Sequence, residues 1–181
     1  GKSGAALMTA EAGLRAGAGL VTLACPAGIQ AIAAGHLAEV MTAPLTEVDG
    51  AISLQAMEEL LGLSDDKQAL AIGPGLGVGD ESAALVRRYL KVAGLPVVVD
   101  VDGLNALAGH LEVLEHRRGR ATVLTPHPGE MARLCGRTAA EIQADRIGVA
   151  RDFATRHGVV LVLKGARTIT AFPEGRVRTN A

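Results

Sequence analysis

The chain reads ATVLTPHPGE at residues 121–130, a stretch in which a strand, a loop and the start of a helix follow one another. Its first four residues are small, apolar or β-branched, which favours a short buried strand. The run VVLVL at 159–163 is a second such strand, and KGART follows it at 164–168. Ligands of open α/β sheets bind outside the carboxyl ends of the strands, so the two loops are predicted to form one ligand-binding edge.

The two loops offer different chemistry. The first carries the imidazole of His127 and the carboxylate of Glu130, and the second carries the ammonium group of Lys164 beside small residues. Flanking prolines restrict the backbone of His127, and a lysine at a strand end can neutralise a phosphate as a point charge. This combination suits a phosphorylated, nucleotide-like ligand. The alternatives are a structural histidine, a solvated lysine, and a Glu130 that acts either as a general base or, the favoured interpretation, as a first-turn residue that complements the helix dipole.

Outward from these loops, apolar runs and helical patterns alternate along nearly the whole chain. Strands are predicted at 20–24, 40–45, 69–72, 96–99, 121–124 and 159–163, and a hairpin at 168–178. Helices are predicted at 3–16, 29–37, 53–61, 81–93, 104–114, from about 129, and at 138–156. Ser3 and Ser53 are expected as N-caps, and Thr138 with Glu141 as a capping box. The strands are continuously apolar, as expected where both faces of a sheet are covered. The predicted fold class is therefore α/β, a three-layer α/β/α domain with a mostly parallel sheet.

Composition narrows the function classes. The chain has 181 residues, of which 49% are hydrophobic and 2% aromatic, so one domain with an aliphatic core is expected. Its net charge of -1 gives no indication of a nucleic-acid or membrane partner. No apolar run approaches the roughly 20 residues of a membrane span. Cys25 and Cys135 lack metal-ligand spacing, and we expect reduced core thiols in a cytoplasmic protein.

Two further strand ends carry polar or glycine-rich loops. Residues 73–79, GPGLGVG, could bring backbone amides close to an anion. They do not match the dinucleotide fingerprint G-x-G-x-x-G from either starting glycine, and a plain strand-to-helix turn is the alternative. Asp100, Asp102 and Asn105 follow the strand at 96–99. They could bind ribose hydroxyls, a metal-bridged phosphate or a water, whereas Asp102 could instead simply cap the next helix.

The chain resembles the ADP/ATP-dependent NAD(P)H-hydrate dehydratases of the ribokinase-like superfamily. The resemblance rests on six motifs that occur in family order: SGAAL at 3–7, RAGAGLVT at 15–22, IGPGLG at 72–77, DVDGLNAL at 100–107, TPHPGE at 125–130 and LKG at 163–165. Each motif is modest alone, whereas together they span nearly the whole chain, from residue 3 to residue 165, and are highly specific to the family.

The resemblance implies a repair enzyme that dehydrates 6-hydroxylated NADH or NADPH, with ADP or ATP as cosubstrate. The nucleotide would phosphorylate the hydroxyl, and phosphate, a better leaving group than hydroxide, would then depart. Residues implied to contact the hydrated dinucleotide are Ala5, Gly75 and His127, with Asp100 and Asn105 lining the cleft. Residues implied to hold the adenine nucleotide are Lys164, Gly165, Ala166, Arg167 and Thr168. Mg²⁺ is expected with phosphoryl transfer, without assigned ligands. Family membership also implies homo-oligomers and an NAD(P)H-hydrate epimerase as functional partner.

The resemblance also implies a later G-T-G-D segment at a helix N-terminus. Its aspartate is the expected catalytic base, and its amides would bind the transferred phosphate. Because the chain ends at Ala181, about where this segment is expected, we assign no catalytic residue. Residues 1–181 are expected to form one domain, incomplete at both ends and inactive alone. A ribokinase-like small-molecule kinase, such as a vitamin-precursor kinase, and a non-catalytic nucleotide-binding domain are the alternatives.

Overall fold

A computed structural model describes residues 2–180, so the ends of the predicted domain, Gly1 and Ala181, lie outside it. The helices are α1 Ser3–Arg15, α2 Gln30–His36, α3 Met57–Ser64, α4 Asp80–Val92, α5 Asp102–Leu107, α6 Pro128–Cys135, α7 Ala139–Ala144 and α8 Arg146–His157. The strands are β1 Thr22–Pro26, β2 Met41–Leu45, β3 Glu47–Val48, β4 Ala51–Ile52, β5 Leu70–Ile72, β6 Val97–Val99, β7 Thr122–Leu124, β8 Val160–Leu163, β9 Ile169–Ala171 and β10 Val177–Thr179. Short 3₁₀ helices lie at Ala27–Ile29, Leu54–Ala56 and Leu111–Arg117.

The central sheet has six strands in the order β10-β9-β8-β7-β6-β5. Strands β5 to β8 are parallel to one another, and β9 and β10 add an antiparallel edge. Strands β1 and β2 form a separate parallel pair, and β3 with β4 a small hairpin. The predicted α/β class with a mostly parallel sheet is confirmed. The parallel order brings the carboxyl ends of β5 to β8 to one edge of the sheet.

Burial alternates along the central strands. In β6, Val97 and Val99 are buried, whereas Val98 between them is 37% exposed. The buried side joins the core with apolar residues of α4, α5, α6 and α8. On the opposite side the strands are also apolar, but Ala71 and Val98 are exposed and their neighbours only half-buried. Continuously apolar strands predicted that both faces would be covered, whereas among residues 2–180 the helices cover mainly one of them.

Several predicted helices end or begin differently in the structure. Ser3 is not an N-cap, because α1 begins at Ser3 itself and Lys2 precedes it without a side-chain cap. The helix predicted at 104–114 stops at Leu107 and continues as a 3₁₀ helix from Leu111. The capping box at Thr138 is confirmed, but the helix predicted to continue to 156 breaks at Asp145. The Asp145 side chain accepts the N–H of Gly148 and so starts α8, which is the usual competition between a short polar side chain and the helix backbone.

Arg117 bonds the amino ends of β6 and β7, at the end of the sheet opposite the predicted ligand loops. Its side chain is fully buried, and its guanidinium donates to the Ala93 and Leu95 carbonyls and to the Thr122 hydroxyl. These contacts join the end of α4 to the starts of β6 and β7. Burial lowers the pKa of the guanidinium. Since Arg117 satisfies several buried acceptors at once, it fixes how β6 and β7 enter the sheet.

Replacement of Arg117 is expected to destabilise the fold. The variant Arg117→Met keeps much of the apolar stem but removes the donors to the Leu95 carbonyl and the Thr122 hydroxyl, while the Ala93 carbonyl keeps its hydrogen bond from Arg120. The free energy of unfolding should therefore fall by about 3 kcal/mol. Urea denaturation measures the loss. The control Arg88→Met changes an exposed arginine of α4 and should alter stability by less than about 0.5 kcal/mol. Equal stabilities of the two variants would contradict the role given to Arg117.

Candidate functional site

Four loops meet at the carboxyl edge of the parallel strands. They follow β5, β6, β7 and β8 and contain, in turn, Gly73–Gly79, Asp100, His127 and Lys164. The N–H of Lys164 donates to the Pro126 carbonyl over 2.8 Å, and its Nζ donates to Asp100 Oδ1 over 2.7 Å. The loops after β6, β7 and β8 are therefore in direct contact. The structure brings together the two loops that the sequence placed on one edge.

Two carboxylates surround the ammonium group of Lys164. Asp100 is its close partner, and Glu130 Oε2 lies 4.0 Å from the same Nζ. Burial of the Asp100 carboxyl would raise its pKa, but the hydrogen bonds of Lys164 and Thr125, together with the charge of Lys164, outweigh that effect, and the pKa is lowered. Asp100 is therefore the ionised partner of a half-buried pair. The alternative of a freely solvated lysine does not describe Lys164 in this structure.

His127 and Glu130 form the capping box at the start of α6. The His127 ring nitrogen Nδ1 accepts from the N–H groups of Gly129 and Glu130, and Glu130 Oε2 accepts the N–H of His127 over 2.8 Å. The Glu130 side chain is only 4% exposed, whereas that of His127 is 52% exposed. Glu130 thus has the structural role of a first-turn residue, and in addition it lies within reach of both His127 and Lys164. The sequence pattern predicted the first of these features but not the second.

Asp102 joins the loop after β6 to the glycine-rich loop after β5. Its Oδ2 accepts the N–H of Gly77 over 2.9 Å, and its Oδ1 lies 3.4 Å from the side-chain nitrogen of Asn105. No side-chain cap is formed at the start of α5, so the expectation that Asp102 simply caps that helix is wrong. Because the Gly77 N–H is already paired with Asp102, one of the amides that an anion could use is occupied. The chain does contain one G-x-G-D sequence, at 77–80, but this is the turn into α4 and not the later segment that the resemblance implies.

Gly75, within this glycine-rich loop, and Ala5, within α1, both lie close to the Lys2 carbonyl. Gly75 has a φ of +75°, and a Cβ there would lie 2.4 Å from the Lys2 carbonyl oxygen, just before α1. Ala5 donates its N–H to that same carbonyl. The two residues therefore share one neighbourhood at the start of α1. Asn105 connects elsewhere, since its Oδ1 accepts from Arg133 of α6.

The loop at 164–168 is held by a residue that sequence reasoning missed. Arg146, the first residue of α8, donates to the carbonyls of Leu163, Lys164 and Ala166. Its guanidinium also packs so closely on Gly165 that a Cβ there would lie 2.9 Å from it. Thr168 Oγ1 bonds the Gly165 carbonyl, and Arg167 has a positive φ of 57°. The only sequence signal for Arg146 was its place after the helix break at Asp145.

The sequence of the whole chain matches a known protein family. The family model described as NAD(P)H-hydrate dehydratase matches residues 1–181. This chain belongs to the NAD(P)H-hydrate dehydratase family. The resemblance stated from the six sequence motifs is thereby confirmed.

Individual relatives agree with this family. The chain is 49% identical over 181 residues to the bifunctional NAD(P)H-hydrate repair enzyme of Moorella thermoacetica, a match that covers 99% of this chain and 34% of that protein. It superposes with a TM-score of 0.73 and 26% identity on the ADP/ATP-dependent NAD(P)H-hydrate dehydratase of Bacillus subtilis co-crystallised with ATP and Mg²⁺, covering 99% of this chain and 59% of that one. A ribokinase-like superfamily protein of Enterococcus faecalis, at 20% identity and a TM-score of 0.77, shows the ribokinase-like fold alone. The chain spans about a third of the length of the curated relatives it matches.

The position of Arg146 leads to a prediction about the Lys164 loop. In Arg146→Leu, three loop carbonyls lose their donor, so the free energy of unfolding should fall by about 2 kcal/mol. Amide hydrogen exchange at 164–168 should become faster, because the loop loses its anchor. The matched control is Arg151→Leu, an exposed position of the same helix. Unchanged exchange at 164–168 in Arg146→Leu would refute the anchoring role.

The Asp100–Lys164 pair leads to a prediction about pH. The pKa of Asp100 is lower in the folded chain than its ordinary value of about 3.9. The pair therefore stabilises the fold above that value, and this stabilisation is lost as the pH falls through the folded-state pKa. Asp100→Asn should be less stable than the unaltered chain near neutral pH, and the difference should shrink as the pH falls below about 4 and through the lowered folded-state pKa.

Urea denaturation of both proteins at each pH measures this difference. The control is Asp152→Asn, an exposed carboxylate of α8 that pairs with no Lys or Arg side chain among residues 2–180. A stability difference between Asp100→Asn and the unaltered chain that does not shrink at all as the pH is lowered below about 4 would show that the ion pair is not its cause.

Proposed function

We propose that this chain binds hydrated NADH or NADPH and an adenine nucleotide in the reaction that restores the dihydronicotinamide. The observation that carries the proposal is the contact of three strand-end loops through Lys164, in a chain of the NAD(P)H-hydrate dehydratase family. Such an edge is where ligands bind in open α/β sheets. It supplies a cation, one half-buried and one buried carboxylate, and a half-exposed imidazole within one small region.

The proposed reaction has two steps. The hydroxyl oxygen on C6 of the hydrated ring attacks the terminal phosphorus of ADP or ATP, and the shortened nucleotide leaves. The C6–O bond then breaks, phosphate takes the electron pair, and loss of a proton from C5 restores the C5–C6 double bond. Phosphorylation makes this elimination easier, because phosphate is a far better leaving group than hydroxide. No catalytic base is assigned among residues 2–180.

The residues divide between the two ligands. We assign Ala5, Gly75 and His127 to the hydrated dinucleotide, and the loop 164–168 to the phosphate region of the nucleotide. We assign Asp100 and Asn105 to the lining between these groups; Asp100 accepts from Lys164, and Asn105 donates to Asp102 and accepts from Arg133. The segment 100–105 would thus connect the two binding regions. A cytoplasmic location, self-association and an epimerase partner stay predictions from the sequence.

Mg²⁺ is expected to accompany the nucleotide, because phosphoryl transfer needs neutralisation of the phosphate charge. The part of the chain that the structure describes contains no group of three or more His, Cys, Asp or Glu side chains placed to hold a metal ion. We therefore assign no protein ligand to Mg²⁺.

Among the described helices, none is long and apolar enough to cross a membrane.

Nucleotide binding should depend on the charge of Lys164. In Lys164→Met, the phosphate loses its cation while Asp100 and Glu130 stay, so affinity for ADP and ATP should fall about tenfold or more. Lys164→Arg should retain most of the affinity, because it keeps the charge. The exposed Lys91→Met is the matched control. Calorimetric titration of each variant with ADP and with ATP measures the effect.

The unaltered chain tests the proposal as a whole. Excess ADP or ATP should raise its melting temperature, since a ligand of the folded state must stabilise it. Absence of such a rise with both nucleotides would contradict the proposed function. Mixing the chain with hydrated NADH and nucleotide tests the expectation that residues 1–181 are inactive alone. Either product would contradict that expectation: restored dihydronicotinamide absorbance would indicate a dehydratase, and a stable phosphorylated product a small-molecule kinase.

A further inference from the structure

The His127 ring is part of the helix α6 cap, and this determines which of its nitrogens carries the proton. Nδ1 lies 3.0 Å from the N–H nitrogen of Gly129 and 3.4 Å from that of Glu130, and it accepts from both. Backbone N–H groups can only donate, so Nδ1 must present its lone pair. In the neutral ring the proton is therefore on Nε2.

The surroundings of the ring hold this orientation. Prolines at 126 and 128 restrict the backbone on both sides. A Cβ at Gly129 would lie 2.8 Å from His127 Cε1, so the absence of a side chain at Gly129 lets the ring sit over the helix start. Glu130 Oε2 accepts the backbone N–H of His127, and Glu130 Oε1 lies 3.6 Å from the ring nitrogen Nε2. The His127 side chain as a whole is half-exposed, and it belongs to the loop after β7 at the predicted ligand edge.

We propose that His127 recognises its ligand as a hydrogen-bond donor, through Nε2–H, and does not serve as a base. Nε2 already carries the proton and cannot accept another hydrogen bond. Nδ1 could take up a proton only by giving up both N–H groups of the α6 cap. The partner of His127 is therefore a hydrogen-bond acceptor of the ligand. Its identity as an oxygen of the hydrated dinucleotide rests on the proposed function, whereas the position of the proton does not.

Two substitutions separate the cap from the donor. In His127→Asn, Oδ1 branches from Cγ as Nδ1 does, and Asn is among the preferred N-cap residues, but no atom reaches the position of Nε2. In His127→Gln, the side-chain NH₂ lies three bonds beyond Cβ as Nε2 does, but no acceptor branches from Cγ. Asn thus keeps the helix cap and removes the donor, and Gln does the reverse.

The position of the proton can be measured on the ligand-free chain. Long-range ¹H–¹⁵N correlation spectra of the ¹⁵N-labelled chain, with His127→Asn used to assign the signals, should show Nδ1 unprotonated and Nε2 protonated. A neutral ring protonated on Nδ1 would overturn the proposal. This readout does not depend on any ligand.

Calorimetric titration with hydrated NADH and thermal denaturation complete the test. His127→Asn should keep the melting temperature of the unaltered chain but bind about tenfold more weakly. His127→Gln should bind within about threefold of the unaltered chain and melt about 2–4 °C lower. Unchanged affinity in His127→Asn would overturn the proposal.

A titration with NADH itself identifies the acceptor. If His127→Asn weakens the binding of NADH as much as that of hydrated NADH, the acceptor is an oxygen that both dinucleotides share, and otherwise it is the C6 hydroxyl. No binding of hydrated NADH to the unaltered chain would overturn the proposed function and the ligand of His127, while the spectra still decide the position of the proton.

Discussion

The ion pair of Lys164 and Asp100 is the contact on which the arrangement of the site depends. Its members are 64 residues apart in sequence and follow β8 and β6, two strands with β7 between them. Parallel pairing brings their loops to one edge of the sheet but does not fix the distance between side chains. The 2.7 Å bond does so, and the Lys164 N–H on the Pro126 carbonyl holds the intervening loop in the same unit. Because the pair is partly buried, it is screened by salt less than an exposed salt bridge is.

The backbone beneath Asp100 is constrained as well. Val101 has a φ of +43°, which is rare for a β-branched residue and costs energy. The strained turn is held by the N–H of Gly103 on the Asp100 carbonyl, and the same carbonyl lies 1.9 Å from where a Cβ of Gly73 would be. The glycine at 73 is therefore required by close approach to the neighbouring loop. Strain of this kind is typical of functional sites, and here it fixes the direction in which Asp100 leaves the sheet.

The sequence was informative wherever one local pattern decided the structure. Apolar runs predicted the parallel strands, and the strand-end position of Asp100, His127 and Lys164 predicted their shared edge. Contacts between distant segments could not be predicted in this way, because nothing near Arg146 in sequence indicates that its guanidinium binds the carbonyls of another loop. The hairpin of β3 and β4 is a different case. Its Asp49-Gly50 turn, with φ of 52° and 75°, is a common hairpin signal, and it could have been recognised from the sequence.

The two carboxylates beside Lys164 stabilise the free chain but oppose the binding of an anion at the same place. Asp100 and Glu130 both lie within 4.0 Å of the one ammonium group, so a phosphate that approaches it also approaches two carboxylates. At an effective dielectric constant of 20, a pair of unit charges 4 Å apart interacts by about 4 kcal/mol. The lysine is thus already neutralised in the free chain, and Arg146 is occupied with loop carbonyls. In the proposed function, a nucleotide must either exchange with Asp100 for Lys164 or carry a counterion of its own. The same carboxylate that joins the loops in the free chain therefore opposes the anion that the assembled loops would bind.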